Sequence, residues 1–209
     1  MHFKADSFGQ VNNPDVLSIR CPACRQQGTL TAFANGMDIQ LPDGTRAGQR
    51  RCPNPVCQTH VFIAWRGTTV LVAYPPERIA FDPTDVPPAV VAALEEAITC
   101  HASGCFTAAA IMVRKTLEEL CRDRGATGGN LKERLTSLRS KVVLPQELLD
   151  GLDDLRLLGN DAAHIESQAY SQVGAEEVAV GVAFAKEVLK AVYQYSNLLG
   201  RLRGLKKAP

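Results

Sequence analysis

The amino-acid sequence predicts an α+β protein, in which a small N-terminal β domain is followed by an all-α helical bundle. Three observations support this prediction. Two cysteine pairs lie among short alternating segments in the first 75 residues, five prolines crowd residues 75–88, and helical spacing of apolar residues begins at about residue 89. We therefore expect the β domain with its N-terminal lead-in at residues 1–75, a linker at 76–88 and the helical bundle at 89–209.

Composition supports a folded chain and argues against a general nucleic-acid-binding surface. Of the 209 residues, 45% are hydrophobic and 22% are charged, and the formal net charge is +1. Such a composition is typical of globular proteins. Because the chain is almost neutral, any contact with nucleic acid must depend on local basic clusters. Two candidate clusters are Arg50-Arg51 and the C-terminal group Arg201, Arg203, Lys206 and Lys207.

The sequence also predicts where the protein resides. Its first residues form no apolar signal segment, and no apolar run approaches the roughly 18–20 residues that cross a bilayer. We therefore expect a cytoplasmic protein with no membrane partner. Since the cytoplasm is reducing, the seven cysteines are expected to bind metal or pack in the core rather than form disulfides.

The β domain is predicted to contain short strands joined by turns. Pro42-Asp43-Gly44 has the composition of a hairpin turn, and Arg66-Gly67 separates a second strand pair. A domain of this size buries little apolar surface and needs an additional cross-link. The expected strands cover residues 16–19, 29–33, 37–41, 45–51, 60–65 and 69–73.

The cysteine spacing indicates that this cross-link is a zinc ion. Cys21 and Cys24 enclose two residues, and Cys52 and Cys57 enclose four, with 27 residues between the pairs. This length suits a hairpin that brings two knuckles to one tetrahedral Zn²⁺, which is the plan of a zinc ribbon. Four thiolates leave no open coordination position, so the zinc is expected to be structural. His60 lies close enough in sequence to replace one of the cysteines as a ligand.

The helical domain is predicted to consist of five helices with short connections, arranged as an antiparallel bundle. Ser103 is the expected N-cap of the second helix, and Asn130 with Glu133 forms a capping-box pattern before the third. Cys100, Cys105 and Cys121 are expected to pack in the core. The predicted helices cover residues 88–101, 104–124, 131–140, about 145–164 and 174–200.

The fourth predicted helix carries the pattern most suggestive of a functional site. Arg156, Asn160 and His164 recur every four residues and therefore form a polar stripe along one edge of the helix. The core face beside this stripe includes Gly159. A helix-interior glycine costs about 1 kcal/mol relative to alanine, so we expect another helix backbone to approach closely there.

Several motifs together resemble the domain of unknown function 4145 family. The relevant stretches are Cys21-Pro-Ala-Cys24, the second cysteine pair, Tyr74-Pro75-Pro76, Gly104-x-x-x-Ala108-Ala109, Arg114-x-x-Leu117-Glu118 and Leu158-Gly159-Asn160-x-Ala162-Ala163-His164. That family looks related to the HEPN superfamily of helical proteins in bacterial toxin, antiphage and RNA-processing systems. Many HEPN proteins are metal-independent endoribonucleases with an arginine, a polar residue and, four to six residues beyond the arginine, a histidine. Here seven residues separate Arg156 from His164, and Leu157 replaces the polar residue.

The resemblance implies a specific chemistry for these side chains. His164 would transfer a proton to or from the ribose 2′-hydroxyl or the 5′-oxygen, and Arg156 would hold the scissile phosphate. Asn160 would orient either group, and Arg114 from the second helix would supply a second cation. No catalytic metal is required. HEPN nucleases pool their motifs across two protomers, so a homodimer formed through the helical domain is also implied.

A second function is compatible with the same residues. The stripe could be structural, with His164 capping carbonyl groups and Arg114 pairing with Glu118 one turn away. The protein would then be a non-catalytic module whose ribbon binds a partner protein or a nucleic acid. A zinc hydrolase would need an open coordination position, which four cysteine ligands do not provide.

Overall fold

The computed structural model describes residues 7, 9–11, 15–32, 38–163 and 173–205, with only the backbone at 161–163 and 196. The chain divides into two compact units, residues 1–78 and 79–209. The first is an antiparallel β-sheet and the second is helical, so the predicted α+β class is confirmed.

The first unit is a sheet centred on β5. One edge of β5 pairs with β4 near Arg46 and with β3 near Arg51, while the other edge pairs along its length with β6. The other antiparallel pairs are β1 with β4, β2 with β3, and β6 with β7. The strands are β1 Gly9–Val11, β2 Leu17–Arg20, β3 Gln27–Ala32, β4 Asp38–Gln40, β5 Arg46–Arg51, β6 His60–Arg66 and β7 Thr69–Tyr74. Only β1 has no counterpart in the strands expected from the sequence.

Alternation along these strands creates one buried face and one exposed face. Among the described residues, the buried apolar cluster consists of Leu30, Val61, Ile63 and Trp65, and the partly buried Leu17, Ile19, Val70 and Ala73 pack against it. A cluster of this size is a small core. The sheet therefore relies on interactions other than apolar burial.

One of these interactions is a buried ion pair in the middle of the sheet. Arg50 is fully buried and donates to both carboxylate oxygens of Asp38, at 2.8 and 2.6 Å. Its guanidinium also lies 4.8 Å from the Trp65 ring centroid. Gly48 makes room for the pair, because a Cβ there would lie 2.0 Å from Asp38 Oδ1. Arg50 is thus a structural residue, and the expected Arg50-Arg51 basic cluster is reduced to the exposed Arg51.

The second unit contains the predicted helices with altered ends. They are α1 Pro88–Ala102, α2 Phe106–Asp123, α3 Leu131–Leu138, α4 Gln146–Ala163, α5 Ala175–Leu189 and α6 Tyr195–Gly204, with a π-helical segment Lys190–Gln194 between the last two. Asn130 caps α3 by accepting a hydrogen bond of 3.0 Å from the Glu133 amide, as the sequence predicted. None of the described helices has the length and apolar character needed to cross a bilayer.

Two expectations for this unit were wrong at the start of α2. The N-cap is Cys105 rather than Ser103, because Ser103 and Gly104 form the turn that ends α1. Cys105 is consequently exposed, whereas Cys121 is buried in the core and Cys100 is half-buried. The fifth predicted helix is also interrupted by the π-helical segment, where the backbone changes its hydrogen-bonding pattern before α6.

The core of the helical unit is large and lies around α2. This helix contacts α1, α3, α4 and α5, and its buried residues include Ala109, Ala110, Val113, Leu117 and Leu120. The core also receives side chains from the four surrounding helices. The helical unit therefore has a sufficient apolar core of its own.

Candidate functional site

The first candidate site is built by two turns in the sheet unit. In the first turn, the Arg25 amide donates to the Cys21 carbonyl at 2.9 Å, and Arg25 adopts a left-handed conformation with φ of 65°. In the second turn, the Asn54 side chain accepts from the Val56 amide at 2.9 Å. These local hydrogen bonds fold each cysteine pair into a compact knuckle.

The two knuckles bring the four predicted cysteines together. All four Sγ atoms, from Cys21, Cys24, Cys52 and Cys57, lie within 4.8 Å of one another. The Sγ atoms of Cys21 and Cys57 are 3.8 Å apart, and those of Cys24 and Cys52 are 3.7 Å apart. A tetrahedron of sulfurs about 2.3 Å from a zinc ion has edges of ~3.8 Å, so the geometry fits such an ion.

The cluster is composed of cysteines, and His60 does not belong to it. The Nδ1 atom of His60 instead lies 2.8 Å from Nε2 of Gln49. A hydrogen bond from the Thr59 hydroxyl, 3.1 Å from Cys57 Sγ, lowers the pKa of the Cys57 thiol to about 6. Burial raises the pKa of Cys52 to about 12. A bound cation would offset this cost of burying a thiolate.

The second candidate site is the crossing of α2 and α4. A Cβ added at Gly159 would lie 2.4 Å from Arg114 Cβ and 3.2 Å from the Ala110 carbonyl oxygen. The expected close helix approach at Gly159 is therefore confirmed, and it occurs within a single chain. This contact lays Arg114 of α2 against α4 at the residue that precedes Asn160.

Arg114 at this crossing and Arg156 on α4 are each held by a carboxylate of the same helix. Arg114 Nε lies 3.4 Å from Glu118, and Arg156 Nε lies 3.3 Å from Asp153. The Arg156 side chain is only 15% exposed, and that of Arg114 is 27% exposed. The positive charge at the crossing is therefore partly neutralised.

The remaining two residues of the predicted site have different outcomes. Asn160 lies half-buried on α4. His164 falls in the segment 164–172, outside the described residues, so its expected place beside Arg156 stays a prediction.

Two further glycines, which were not among the predicted residues, shape the contact of α4 with α5. A Cβ at Gly151 would lie 2.3 Å from Phe184 Cζ, and a Cβ at Gly181 would lie 2.8 Å from Leu158 Cδ2. Both lie where α4 meets α5. The same cost of a helix-interior glycine that singled out Gly159 could have identified them.

We expect the replacement of Gly159 by alanine to destabilise the helical unit. The new methyl group overlaps Arg114 and must push α2 and α4 apart, at a cost of about 1–3 kcal/mol. Gly200→Ala is the matched control, since it also lies inside a helix but has no atom within 4 Å of the added Cβ. Gly200→Ala should raise the free energy of unfolding by up to ~1 kcal/mol. Thermal unfolding of both variants measures the difference, and equal melting temperatures would contradict the close crossing.

Comparison with known proteins assigns the chain to a family but to no characterised relative. No curated protein and no solved structure shows significant similarity to it. A family model described as a domain of unknown function, DUF4145, matches residues 95–207, which is more than half of the chain and covers most of the helical unit. The chain therefore belongs to the DUF4145 family.

Proposed function

We propose that this protein is a metal-independent endoribonuclease of the type found in bacterial toxin and antiphage systems, with a structural zinc ribbon that binds the target or a partner. The observation that carries the proposal is the α2–α4 crossing. Because Gly159 has no side chain, Arg114 lies against α4 at Gly159, one residue before Asn160 and three residues after Arg156 in sequence. Arg114 of α2 and the Arg156–Asn160 stretch of α4 would together form the phosphate-binding site that the sequence predicts.

The proposed reaction is an internal transesterification of RNA. The ribose 2′-oxygen attacks the adjacent phosphorus, and the bond from phosphorus to the 5′-oxygen breaks. One proton leaves the 2′-hydroxyl for a general base, and another is delivered to the 5′-oxygen, which leaves as a hydroxyl. His164 serves these proton transfers, since an imidazole has a pKa near 6.5. Arg156 and Arg114 stabilise the extra negative charge on the phosphorane, and Asn160 orients the phosphate or the imidazole.

The ion pairs at the crossing set a condition on this chemistry. A phosphate must displace Asp153 from Arg156 and Glu118 from Arg114 before either guanidinium can bind it. Bidentate guanidinium–phosphate contacts are strong enough to compete with partly exposed carboxylates. The resting pairs therefore orient the arginines without closing the site permanently.

The alternative function takes the same ion pairs as permanent structural contacts. If Asp153 and Glu118 are permanent partners, the two arginines are structural and the crossing has no spare charge. The protein would then be a non-catalytic module that binds a protein or a nucleic acid. The two functions differ in what happens when one of these carboxylates is removed.

We expect the purified protein to cleave single-stranded RNA in EDTA and to leave 2′,3′-cyclic phosphate ends. DNA of the same sequence should resist, because it lacks the internal nucleophile. His164→Ala should lower the rate about 10²–10⁴-fold by removing the proton-transfer group, and Arg156→Ala should be comparably damaging. Asp153→Asn should raise the rate roughly two- to fivefold, the equivalent of an exposed ion pair of ~0.5–1 kcal/mol. Denaturing gels and end-group analysis measure these changes.

Asp150→Asn is the matched control for the carboxylate variant. It removes the same charge from the same helix, and Asp150 pairs at 3.3 Å with Arg139, which also lies 3.7 Å from Asp153, so the control reports the loss of an Arg139 contact without the loss of the Arg156 pair. Its rate should equal that of the parent. A parent protein that never cuts RNA, together with an Asp153→Asn variant that melts early, would establish the non-catalytic module instead.

We further propose that Cys21, Cys24, Cys52 and Cys57 hold one Zn²⁺. The sulfur separations match the edges of a tetrahedral site, and the small apolar cluster of the sheet needs a cross-link. With four thiolates in place the ion has no free position for substrate. Its role is to hold the two knuckles at the end of the sheet.

Freshly purified protein should contain one zinc per chain, and Cys52→Ser should lose that zinc and unfold the sheet unit. The helical unit should remain folded, because it has its own core. Cys105→Ser, which changes an exposed cysteine of the helical unit, should retain the metal. Elemental analysis and circular dichroism measure both effects, and a parent protein without zinc would contradict the assignment.

We also propose that the helical units form a homodimer in which α6 docks on a second copy. Among the described elements, α6 contacts only the π-helical segment that leads into it. Apolar side chains nevertheless follow one face of α6 with exposures between 47 and 81%: Tyr195, Leu198, Leu199, Leu202 and Leu205. An isolated helix of this length is marginally stable in water, so this face calls for a partner.

A groove between α4 and α5 offers a complementary surface. It encloses about 470 Å³, is lined by apolar side chains that include Leu155, Val180 and Phe184, and carries Asp154, Glu176 and Glu177. By contrast, residues 195–209 contain four basic residues and no acidic ones. Two copies of α6 would therefore repel each other, whereas α6 and the groove attract.

The groove cannot be filled by α6 of the same chain. Helices α5 and α6 run continuously through the π-helical segment, and the α5 part of the groove lies about 20 residues before the leucine face. At 1.5 Å per residue this separation is roughly 30 Å along the continuous α5–α6 helix. In a dimer with a two-fold axis near Lys190, the two α5–α6 helices would run antiparallel, and each α6 would lie over the groove of the other copy.

Leu198→Glu and Leu202→Glu should convert the dimer into a monomer, because each places a carboxylate against the acidic groove. Val143→Glu is the matched control, since Val143 is a fully exposed apolar residue elsewhere in the helical unit. The control should remain dimeric. Light scattering coupled to size-exclusion chromatography at tens of micromolar distinguishes the dimer from the monomer. A strictly monomeric parent protein would contradict the proposed homodimer.

A further inference from the structure

We propose that the exposed face of the β-sheet binds single-stranded RNA by stacking bases on Phe62 and Tyr74. This inference deepens the proposed function, on which the choice of RNA rests. The site lies in the ribbon unit and uses none of the residues assigned above to cleavage. Its ligand is an unpaired stretch of RNA with accessible base faces.

The two aromatic residues form an adjacent pair on the sheet surface. Phe62 of β6 and Tyr74 of β7 are direct cross-strand partners, so their side chains emerge on the same side of the sheet. Phe62 is 57% exposed and Tyr74 is 69% exposed. Large rings held open on a rigid sheet are suited to stacking, which is worth about 1–3 kcal/mol per base.

Polar groups lie on one side of this pair on the same face. Gln49 of β5 is the cross-strand partner of Phe62, and two residues further along β5 comes Arg51. Arg51 in turn lies between Thr31 of β3 and His60 of β6 in the strand register. Since residues two apart on a strand share a face, all six side chains point to one side.

These groups match the chemistry of a single-stranded nucleic acid. Gln49 and His60, whose side chains lie 2.8 Å apart, can hydrogen-bond to base edges. Arg51 can contact a backbone phosphate or stack on a base. On the other side of the aromatic pair the same face continues with Val72 and Ile39, which are 39% and 38% exposed.

The charge of the sheet unit favours an anionic ligand. Its described residues include seven arginines and four carboxylates. Each of these carboxylates is paired with an arginine: Asp15 with Arg46, Asp38 with Arg50, Asp43 with Arg66, and Glu77 with Arg20. The seven guanidinium groups outnumber the four carboxylates, so the described residues of the sheet unit carry a net positive charge.

Binding can be measured separately from cleavage. The probe is a fluorescein-labelled 12-nucleotide single-stranded RNA, titrated by anisotropy against the otherwise intact His164→Ala protein. Phe62→Ala and Tyr74→Ala should each weaken binding roughly 5- to 150-fold, the equivalent of losing one stacked base. Phe62→Tyr and Tyr74→Phe should preserve binding, since each retains an aromatic ring. Arg51→Ala should reduce the slope of log affinity against log salt concentration by about one, the change expected for one lost phosphate contact.

Val56→Ala is the matched control for the loss of exposed apolar surface. Val56 is 93% exposed on the second knuckle turn, outside the strands, and its variant should bind RNA as the parent does. The metal content and the melting temperature of every variant confirm that the sheet is folded. An unlabelled DNA of the same sequence tests by competition whether the ribose 2′-hydroxyl contributes.

The outcomes separate this inference from the proposed function. RNA binding that depends on both rings, without any cleavage by the parent, supports the stacking surface and removes the ribonuclease. Cleavage by the parent, with RNA affinity unchanged in folded Phe62→Ala and Tyr74→Ala proteins, overturns the stacking surface and retains the ribonuclease. Absence of RNA binding at tens of micromolar, or disruption only of a protein complex by the ring variants, also overturns it.

Discussion

The close contact of α2 with α4 at Gly159 is the constraint on which the helical unit depends. Only a glycine lets the Ala110 carbonyl and the Arg114 side chain lie directly on α4. Because α2 also contacts α1, α3 and α5, its position relative to α4 fixes the centre of the bundle. The same contact places an arginine beside the polar edge of α4. The glycine at position 159 therefore determines both the packing of α2 on α4 and the position of Arg114.

The sheet unit solves a different problem, since it has very little apolar surface to bury. A buried arginine–carboxylate pair occupies part of its inner face, and four clustered sulfurs join its two knuckles. Breaking such a pair from one side is costly, because an unpaired charge would remain in the interior. With the inner face committed to Arg50, Asp38 and Trp65, the outer face is left to present aromatic and hydrogen-bonding side chains. The inner face thus provides rigidity, and Phe62 and Tyr74 remain exposed on the outer face.

The sequence predicted the parts of this protein that depend on spacing. The cysteine pairs, the capping of α3 by Asn130 and the close approach at Gly159 follow from local patterns, and the structure confirms each of them. Pairing across the sheet could not be predicted in the same way. Arg50 and Arg51 look alike in sequence, but alternation along β5 buries the first and exposes the second. The π-helical segment before α6 likewise has no local sequence signature.

The state of the two arginines decides between the proposed functions on physical grounds. A carboxylate partner on the same helix lowers the energy of a guanidinium that is otherwise largely covered, so the resting pairs are expected whether or not the protein is catalytic. The two functions differ in whether a phosphate can displace the carboxylate from the guanidinium. Asp153 is 45% exposed and Glu118 is 31% exposed, so water can solvate either carboxylate as an incoming phosphate takes its place. A fully buried pair such as Arg50–Asp38 has no such exchange, since both of its members are sealed from solvent. The two kinds of ion pair in this chain therefore differ in exposure: the Arg50–Asp38 pair is sealed from solvent, and the carboxylates paired with Arg114 and Arg156 remain partly exposed.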